Sequence, residues 1–159
     1  MPVHPFAPVC PQDARILILG SFPSVQSRLN GFYYGNKQNR FWPLVSHLLH
    51  ESLPETNEEK AAMLIRHRIA LWDVVQACDI KGSSDSSLRR AIPNDIPALL
   101  NACPIEKVLL NGQMAAKLYA KHFPDSGIAC ASLPSTSPAN AAWSMEKLQS
   151  AWAPHLAGL

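Results

Sequence analysis

Four short, largely apolar runs punctuate the chain: Arg15–Gly20, Ile69–Val75, Lys107–Leu110 and Ile128–Ser132. Runs of this length without strict alternation suit strands buried on both faces of a parallel sheet. Longer segments with helical spacing separate them. A short helix is expected over Pro43–His50, with its proline tolerated in the first turn. Thr56-Asn-Glu-Glu59 reads as a capping box opening a helix that runs to about His67. Pro93-Asn94-Asp95 opens another, ending near Ala102, and further helices are predicted over Gln113–His122 and Ala141–Trp152. Strands alternating with helices predict an α/β protein: a three-layer α/β/α sandwich around a central, mainly parallel four-stranded sheet. With 159 residues and no linker or repeat, residues 1–159 are expected to form a single domain.

Composition narrows the function classes. Hydrophobic residues make up 47% and charged residues 16%, which excludes a disordered chain or a coiled coil. The formal charge is only +2, so any contact with nucleic acid must be a local patch. The start lacks a basic stretch followed by an apolar one, and no apolar run approaches the roughly 20 residues that span a bilayer. The expectation is a cytoplasmic protein without a signal peptide or membrane contact. Cys10, Cys78, Cys103 and Cys130 are far apart and are expected to be small buried apolar residues rather than a disulfide framework or cluster ligands.

The polar chemistry gathers where the strands end, which is where open parallel sheets bind ligands. The exits are Ser21 to Ser24, Asp73 onward to the polar loop Lys81–Ser87, Asn111-Gly112, and Leu133 to Asn140. After the first exit, Tyr34-Gly-Asn-Lys-Gln-Asn-Arg-Phe-Trp42 adds amides, a cation and aromatic rings, groups that suit a flat, polar, uncharged ring. Each feature has a plainer reading. Asn36 and Asn39 also suit a turn, Trp42 a core position, Asn111-Gly112 a helix entry, Ser135 and Ser137 helix caps, and Arg89 and Arg90 a solvated face. A Gly-x-Ser-x-Gly elbow and glycine-rich phosphate loops are absent, which disfavours serine esterases and nucleotide cofactors. His47 and His50 lack a third ligand partner, and no metal is expected.

Gly20-Ser-Phe-Pro-Ser24 with Asn39-Arg-Phe-Trp42, and later Pro134-Ser-Thr-Ser-Pro-Ala-Asn140, resemble the uracil-DNA glycosylase superfamily, particularly its mismatch-specific and hypoxanthine-excising branches. The resemblance implies a monofunctional glycosylase that flips a deaminated base from DNA and hydrolyses its N-glycosidic bond, in base excision repair at a bacterial nucleoid. It implies no cofactor. By the same resemblance Phe41 matches the ring on which the base stacks, and Asn111 the amide that reads its edge. Ser21, Phe22 and Tyr34 join them as expected base contacts. Ser24, Arg40, Ser135, Thr136, Ser137, Pro138 and Asn140 are the expected DNA contacts, the last five on a loop entering the minor groove.

Two departures bear on the substrate. Phe22 stands where uracil-excising branches carry a water-activating Asp or Asn, and Leu133 where others carry a histidine. The hypoxanthine-excising branch is similar in lacking both groups, and the resemblance to it implies catalysis at Asn39, with Asn111 assisting. Its carbonyl would orient water and its amide would hydrogen-bond the leaving base. Hypoxanthine is the favoured base, ahead of xanthine or uracil, in duplex or single-stranded DNA, with the protein a monomer. The alternative is a non-catalytic module that binds damaged or mismatched DNA; a free-nucleoside hydrolase is weaker, because Asp73 and Asp79 stand isolated.

Overall fold

The computed structural model of the protein describes residues 4, 6–79 and 89–159; the polar loop Lys81–Ser87 lies outside the described residues. Along the chain come β1 (Ile16–Gly20), α1 (Val25–Asn30), α2 (Phe41–Leu48), α3 (Asn57–Arg66), β2 (Ile69–Asp73) and β3 (Val75–Asp79). Then follow β4 (Arg89–Pro93), α4 (Ile96–Ala102), β5 (Lys107–Asn111), α5 (Gln113–His122), β6 (Ala129–Leu133) and α6 (Met145–Leu156). The strands β2, β1, β5 and β6 form one sheet in that order, every neighbour parallel.

Alternation along β1 explains the layers. Ile16 and Ile18 face one side with Ile69, Leu71 and Leu109, where α2, α3 and α6 cover them through Phe41, Leu44, Met63, Leu64, Leu148 and Trp152. Leu17 and Leu19 face the other with Ala70, Val108 and Leu110, under Ile96 of α4 and Ala115, Leu118 and Tyr119 of α5. Each buried Val, Leu, Ile, Phe or Met among them contributes roughly 1.5–3 kcal/mol. Apolar layers cover both sides of β2, β1 and β5, which is why those strands read as continuous apolar runs, whereas the edge strand β6, expected to be buried alike, leaves Ala129, Cys130 and Ser132 exposed.

Three expectations need correction. The second strand was expected to continue to Val75, yet the parallel ladder ends at Asp73 and the chain turns into an antiparallel β3–β4 pair. Asn94 fixes that change of direction: its side-chain amide donates to the carbonyls of Asp73 at 2.9 Å and Val75 at 3.3 Å. The last helix starts at Met145 rather than Ala141, because Ser144 caps it by accepting from the Lys147 N–H at 3.2 Å. Of the cysteines, only Cys78 is buried. Cys10 and Cys103 are half-buried with their sulfurs 2.9 Å apart, and Cys130 is exposed. Burial, with Cys103 alongside, pushes the Cys10 thiol up to about 12.

The segment before β1 runs along the sheet edge, where Val9 bridges Leu71 in antiparallel fashion. It carries His4 to the carboxyl end of β2. Thr56 caps α3 as expected, accepting from the Glu59 N–H at 3.1 Å. The six-residue α1, not foreseen, begins at Ser24, whose hydroxyl accepts from the Ser27 N–H at 3.1 Å. Among the described residues no helix is long and apolar enough to cross a membrane.

Candidate active site

All four strand exits open into one cleft of about 90 Å³, lined by Gly20 to Ser24, Tyr34, Asn39, Asp73, Asn111 and Ser135 to Ser137, with Ser27 and Tyr33 behind them. That is room for several waters, at roughly 10–15 Å³ each. A larger groove of about 350 Å³ lies between α4 and the α5–β6 connection. It gathers mainly apolar and loop residues, whereas the polar groups converge in the smaller cleft at the sheet's carboxyl rim.

Thr136 is the hub of the cleft's polar side. It is fully buried, donates its hydroxyl proton to Asn39 Oδ1 at 2.8 Å, and accepts from Asn111 Nδ2 at 3.1 Å. Its backbone N–H donates to Asn111 Oδ1 at 3.1 Å. Asn111 Nδ2 also donates to the Tyr34 hydroxyl at 3.2 Å. Both amide hydrogens of Asn111 are therefore taken. Asn39 Oδ1 also accepts from the Phe41 N–H at 2.9 Å, which opens α2. Two donors fill the lone pairs of the Asn39 carbonyl and fix the orientation of its amide, so Nδ2 is the group left to act.

Tyr34 lies flat on Phe41, ring centroids 4.0 Å apart and planes 17° from parallel. Tyr34 sits at φ 53°, a strained position that turns its ring over the cleft wall. Gly20 makes this arrangement possible. A Cβ at residue 20 would lie 2.5 Å from Asp73 Oδ1 and 2.9 Å from the Tyr34 hydroxyl. Gly112 plays the matching part below the second loop, where a Cβ would approach Ser135 Cβ to 3.2 Å and φ is 101°.

On the cleft wall beside Gly20, Asp73 Oδ2 pairs with His4 Nε2 at 2.8 Å, both side chains buried. His4 Nδ1 accepts from the Phe6 N–H at 3.1 Å, so the ring proton sits on Nε2 and is donated to Asp73. Burial, with the Asp73 charge nearby, pushes the Tyr33 phenol far up; its O–H stays protonated and donates to the Ala7 carbonyl at 2.9 Å. Among the described residues no three His, Cys, Asp or Glu side chains converge on a common point.

The Pro134–Asn140 loop is held from within. Ser135 Oγ accepts from the Ser137 N–H and Ser137 Oγ from the Ala139 N–H, each at 3.1 Å, while Asn140 Nδ2 donates to the Ser135 carbonyl at 3.0 Å. Arg40 ties the loop to α2. Its guanidinium donates to the carbonyls of Ser137 and Asn140, both at 3.0 Å, and to that of Trp143.

The family model described as the uracil DNA glycosylase superfamily matches residues 7–155. The chain belongs to this superfamily. It is 37% identical over 149 residues to a protein of Methanosarcina acetivorans named hypoxanthine DNA glycosylase, covering 92% of this chain and 93% of that one. A protein of the same name from Methanosarcina barkeri is 33% identical over 150 residues, covering 93% and 94%. A solution NMR structure from Methanosarcina acetivorans, of a candidate uracil DNA glycosylase, superposes with a TM-score of 0.80 at 35% identity, covering 95% of this chain and 96% of that one. The protein is thus a DNA glycosylase, and its sheet is the superfamily's parallel α/β sheet.

Within that superfamily framework the two sequence motifs meet through the Asn39–Thr136 hydrogen bond, as their joint presence suggested. Four expected roles change. Phe41 is fully buried beneath Tyr34 and offers no face to a base; Tyr34 is the ring that lines the cleft. Thr136 is buried, so it organises the amides instead of touching DNA. Arg40, expected at the DNA, directs its guanidinium to the loop carbonyls of Ser137 and Asn140. The Asn39 carbonyl, expected to orient water, already holds two donors. Ser21, Phe22 and Ser24 do line the cleft, while Phe22 packs into the α4–α5 core layer. Asp73, expected at a strand exit but as an isolated acid, is instead paired with His4, a partner the sequence reading missed: the two are 69 residues apart, and nothing local to either announces the pair.

Proposed function

We propose that this glycosylase excises deaminated purines, hypoxanthine first, from DNA. The observation that carries the reading is the single hydrogen-bonded array joining Asn39, Thr136, Asn111 and Tyr34 at the rim of the sheet. The hypoxanthine DNA glycosylases that resemble this chain over nearly its whole length support it. A flipped base stacks on Tyr34, which Phe41 backs rigidly. The loop Pro134–Asn140, preformed by its own hydrogen bonds, lies against the backbone beside it. The hydroxyls of Ser135 and Ser137 accept backbone N–H groups and keep their protons to donate to phosphate.

As the bond between C1′ and N9 breaks, its electron pair leaves with the purine and the sugar becomes oxocarbenium-like. Asn39 Nδ2, held by the two bonds to its carbonyl, donates to a ring acceptor of the departing base. Such preorganised donors are worth roughly 10²–10³ in rate. Water then adds to C1′ and gives up a proton, which neutralises the departed purine anion, leaving the abasic site and the free base. A cation that electrophilic captures water without a strong base, which is compatible with Phe22 at the motif's third position. Flipping costs a few kcal/mol and least for a mispaired base, which favours inosine opposite a non-complementary partner.

Labelled duplexes containing deoxyinosine, deoxyxanthosine or deoxyuridine test this. Alkali-labile abasic sites are expected at inosine first. Intact strands in all three, with tight binding to the inosine duplex, would replace the enzyme reading with that of a damage-binding module.

A further inference from the structure

The cleft contains one strong acceptor that the proposed reaction does not use. Asp73 ends β2 with its carboxylate 5% exposed, and His4, at 1%, holds only Oδ2. Oδ1 makes no hydrogen bond among the described residues, and it flanks the space beside Gly20 on the cleft wall. A nearly buried carboxylate with one unbonded oxygen is costly unless something completes it. Asn111 cannot do so, because both hydrogens of its Nδ2 are taken, which leaves the oxygen to a cleft water or to an N–H brought in by a ligand.

Deamination changes a base in a way that matches this oxygen. Adenine carries a lone pair on N1 and an amino group on C6. Hypoxanthine carries a proton on N1 and a carbonyl on C6. Uracil likewise gains an N3–H where cytosine has a lone pair. An acceptor fixed in the cleft bonds the deaminated base and repels the normal one. A site that hydrogen-bonds a particular N–H rejects the analogue lacking it by roughly 10⁴–10⁵, because its own buried group is then left unpaired.

We propose that Asp73 Oδ1 is the specificity-determining acceptor for the ring N–H of a deaminated base, and that His4 is its positioning residue. This rests on the glycosylase reading above and names the group that selects its substrate. His4 is suited to the part. Its Nδ1 is occupied by the Phe6 N–H, so Nε2–H must point at Oδ2 and turns Oδ1 to the cleft. Gly20 leaves the space that this orientation needs. Selection of the base is thereby coupled to the segment that precedes the first strand.

The test compares excision of deoxyinosine with excision of the purine deoxyriboside that lacks O6 and has a lone pair at N1, each in duplex. In Asp73→Asn, His4 still donates to Oδ1, so the new amino group faces the cleft as a donor. The inosine-to-purine rate ratio is expected to fall by 10²-fold or more, chiefly through loss on inosine. An equal loss on both duplexes would assign the carboxylate to the sugar cation or to water and overturn the proposal, as would an unchanged ratio. His4→Ala is expected to lower the ratio about tenfold and His4→Gln, which keeps an N–H at the same reach, to restore it. That pair decides the matter if Asp73→Asn does not fold; an unchanged ratio in His4→Ala counts against it. Wild-type protein inert on every deaminated duplex is a separate result. It would fell the glycosylase specificity reading and this proposal with it.

Discussion

Two polar clusters share the cleft and differ in how completely they are satisfied. On one side, Thr136 closes a network in which the Asn39 carbonyl and the Asn111 amide group already have their partners. On the other, Asp73 has one oxygen bonded to His4 and the other bonded to nothing among the described residues. A closed network fixes geometry, and its cost of burial is met within the protein. An open group leaves its burial cost to be met by a ligand. The contrast separates the residues that shape this cleft from those that address the substrate, and Asn39 belongs partly to each, with a closed carbonyl and an open amino group.

The sharpest way to break that division is at Asn39. Asn39→Ala is expected to lower single-turnover excision of deoxyinosine by roughly 10²–10³-fold. Asn39→Asp tells which half of the amide matters. The aspartate still accepts from the Phe41 N–H and from Thr136, so the turn into α2 persists, but it has no proton to donate. Equal loss in the two variants is expected. Activity retained in Asn39→Asp would return the catalytic role to the carbonyl and erase the contrast between the clusters.

Thr136→Val keeps volume while removing one donor and one acceptor from the closed side. Leaving buried amide groups unpaired costs about 1–3 kcal/mol, read as a lower urea midpoint with an unchanged m-value. Excision should fall by about 10–10²-fold, because both amides lose their anchor. Stability lost without any effect on rate would show that the network serves the fold alone. At the ring the expected effect is on binding. Tyr34→Phe keeps the stacking surface over Phe41 and should cost a few-fold, whereas Tyr34→Ala forfeits stacking worth about 1–3 kcal/mol per base, measured as weaker binding of inosine duplex.

How much of this was legible beforehand follows from the range over which each feature is encoded. The strands announced themselves because a two-sided sheet demands continuous apolar runs, as in Ile16 to Leu19. Thr56 and Asp95 announced helix starts, since a cap is a signal within three residues. The end of β2 was harder. Val74 and Val75 continue an apolar run, and only Asn94, some twenty residues on, turns the chain there. The site split the same way. Both motifs were visible, but which ring faces the cleft depends on Tyr34 adopting φ 53° and covering Phe41, which no spacing encodes. The His4–Asp73 pair is wholly tertiary. It exists because the segment before β1 runs back along the sheet edge beside β2.

Arg40 offers the finest test, because the charge-based and the geometric readings of it predict different salt dependence. An arginine on phosphate releases counterions, and losing it lowers the slope of log affinity against log salt by about 0.9 for duplex DNA. An arginine that staples carbonyls of Ser137, Asn140 and Trp143 contributes loop order, whose loss is independent of salt. Arg40→Ala is therefore expected to weaken inosine-duplex binding by about three- to tenfold, by the same factor at low and high salt. Arg40→Lys should recover little of it, since a single ammonium lacks the planar fork that reaches several carbonyls at once. A slope lowered by about one unit, with rescue by lysine, would move Arg40 from the closed side of the cleft to the DNA surface.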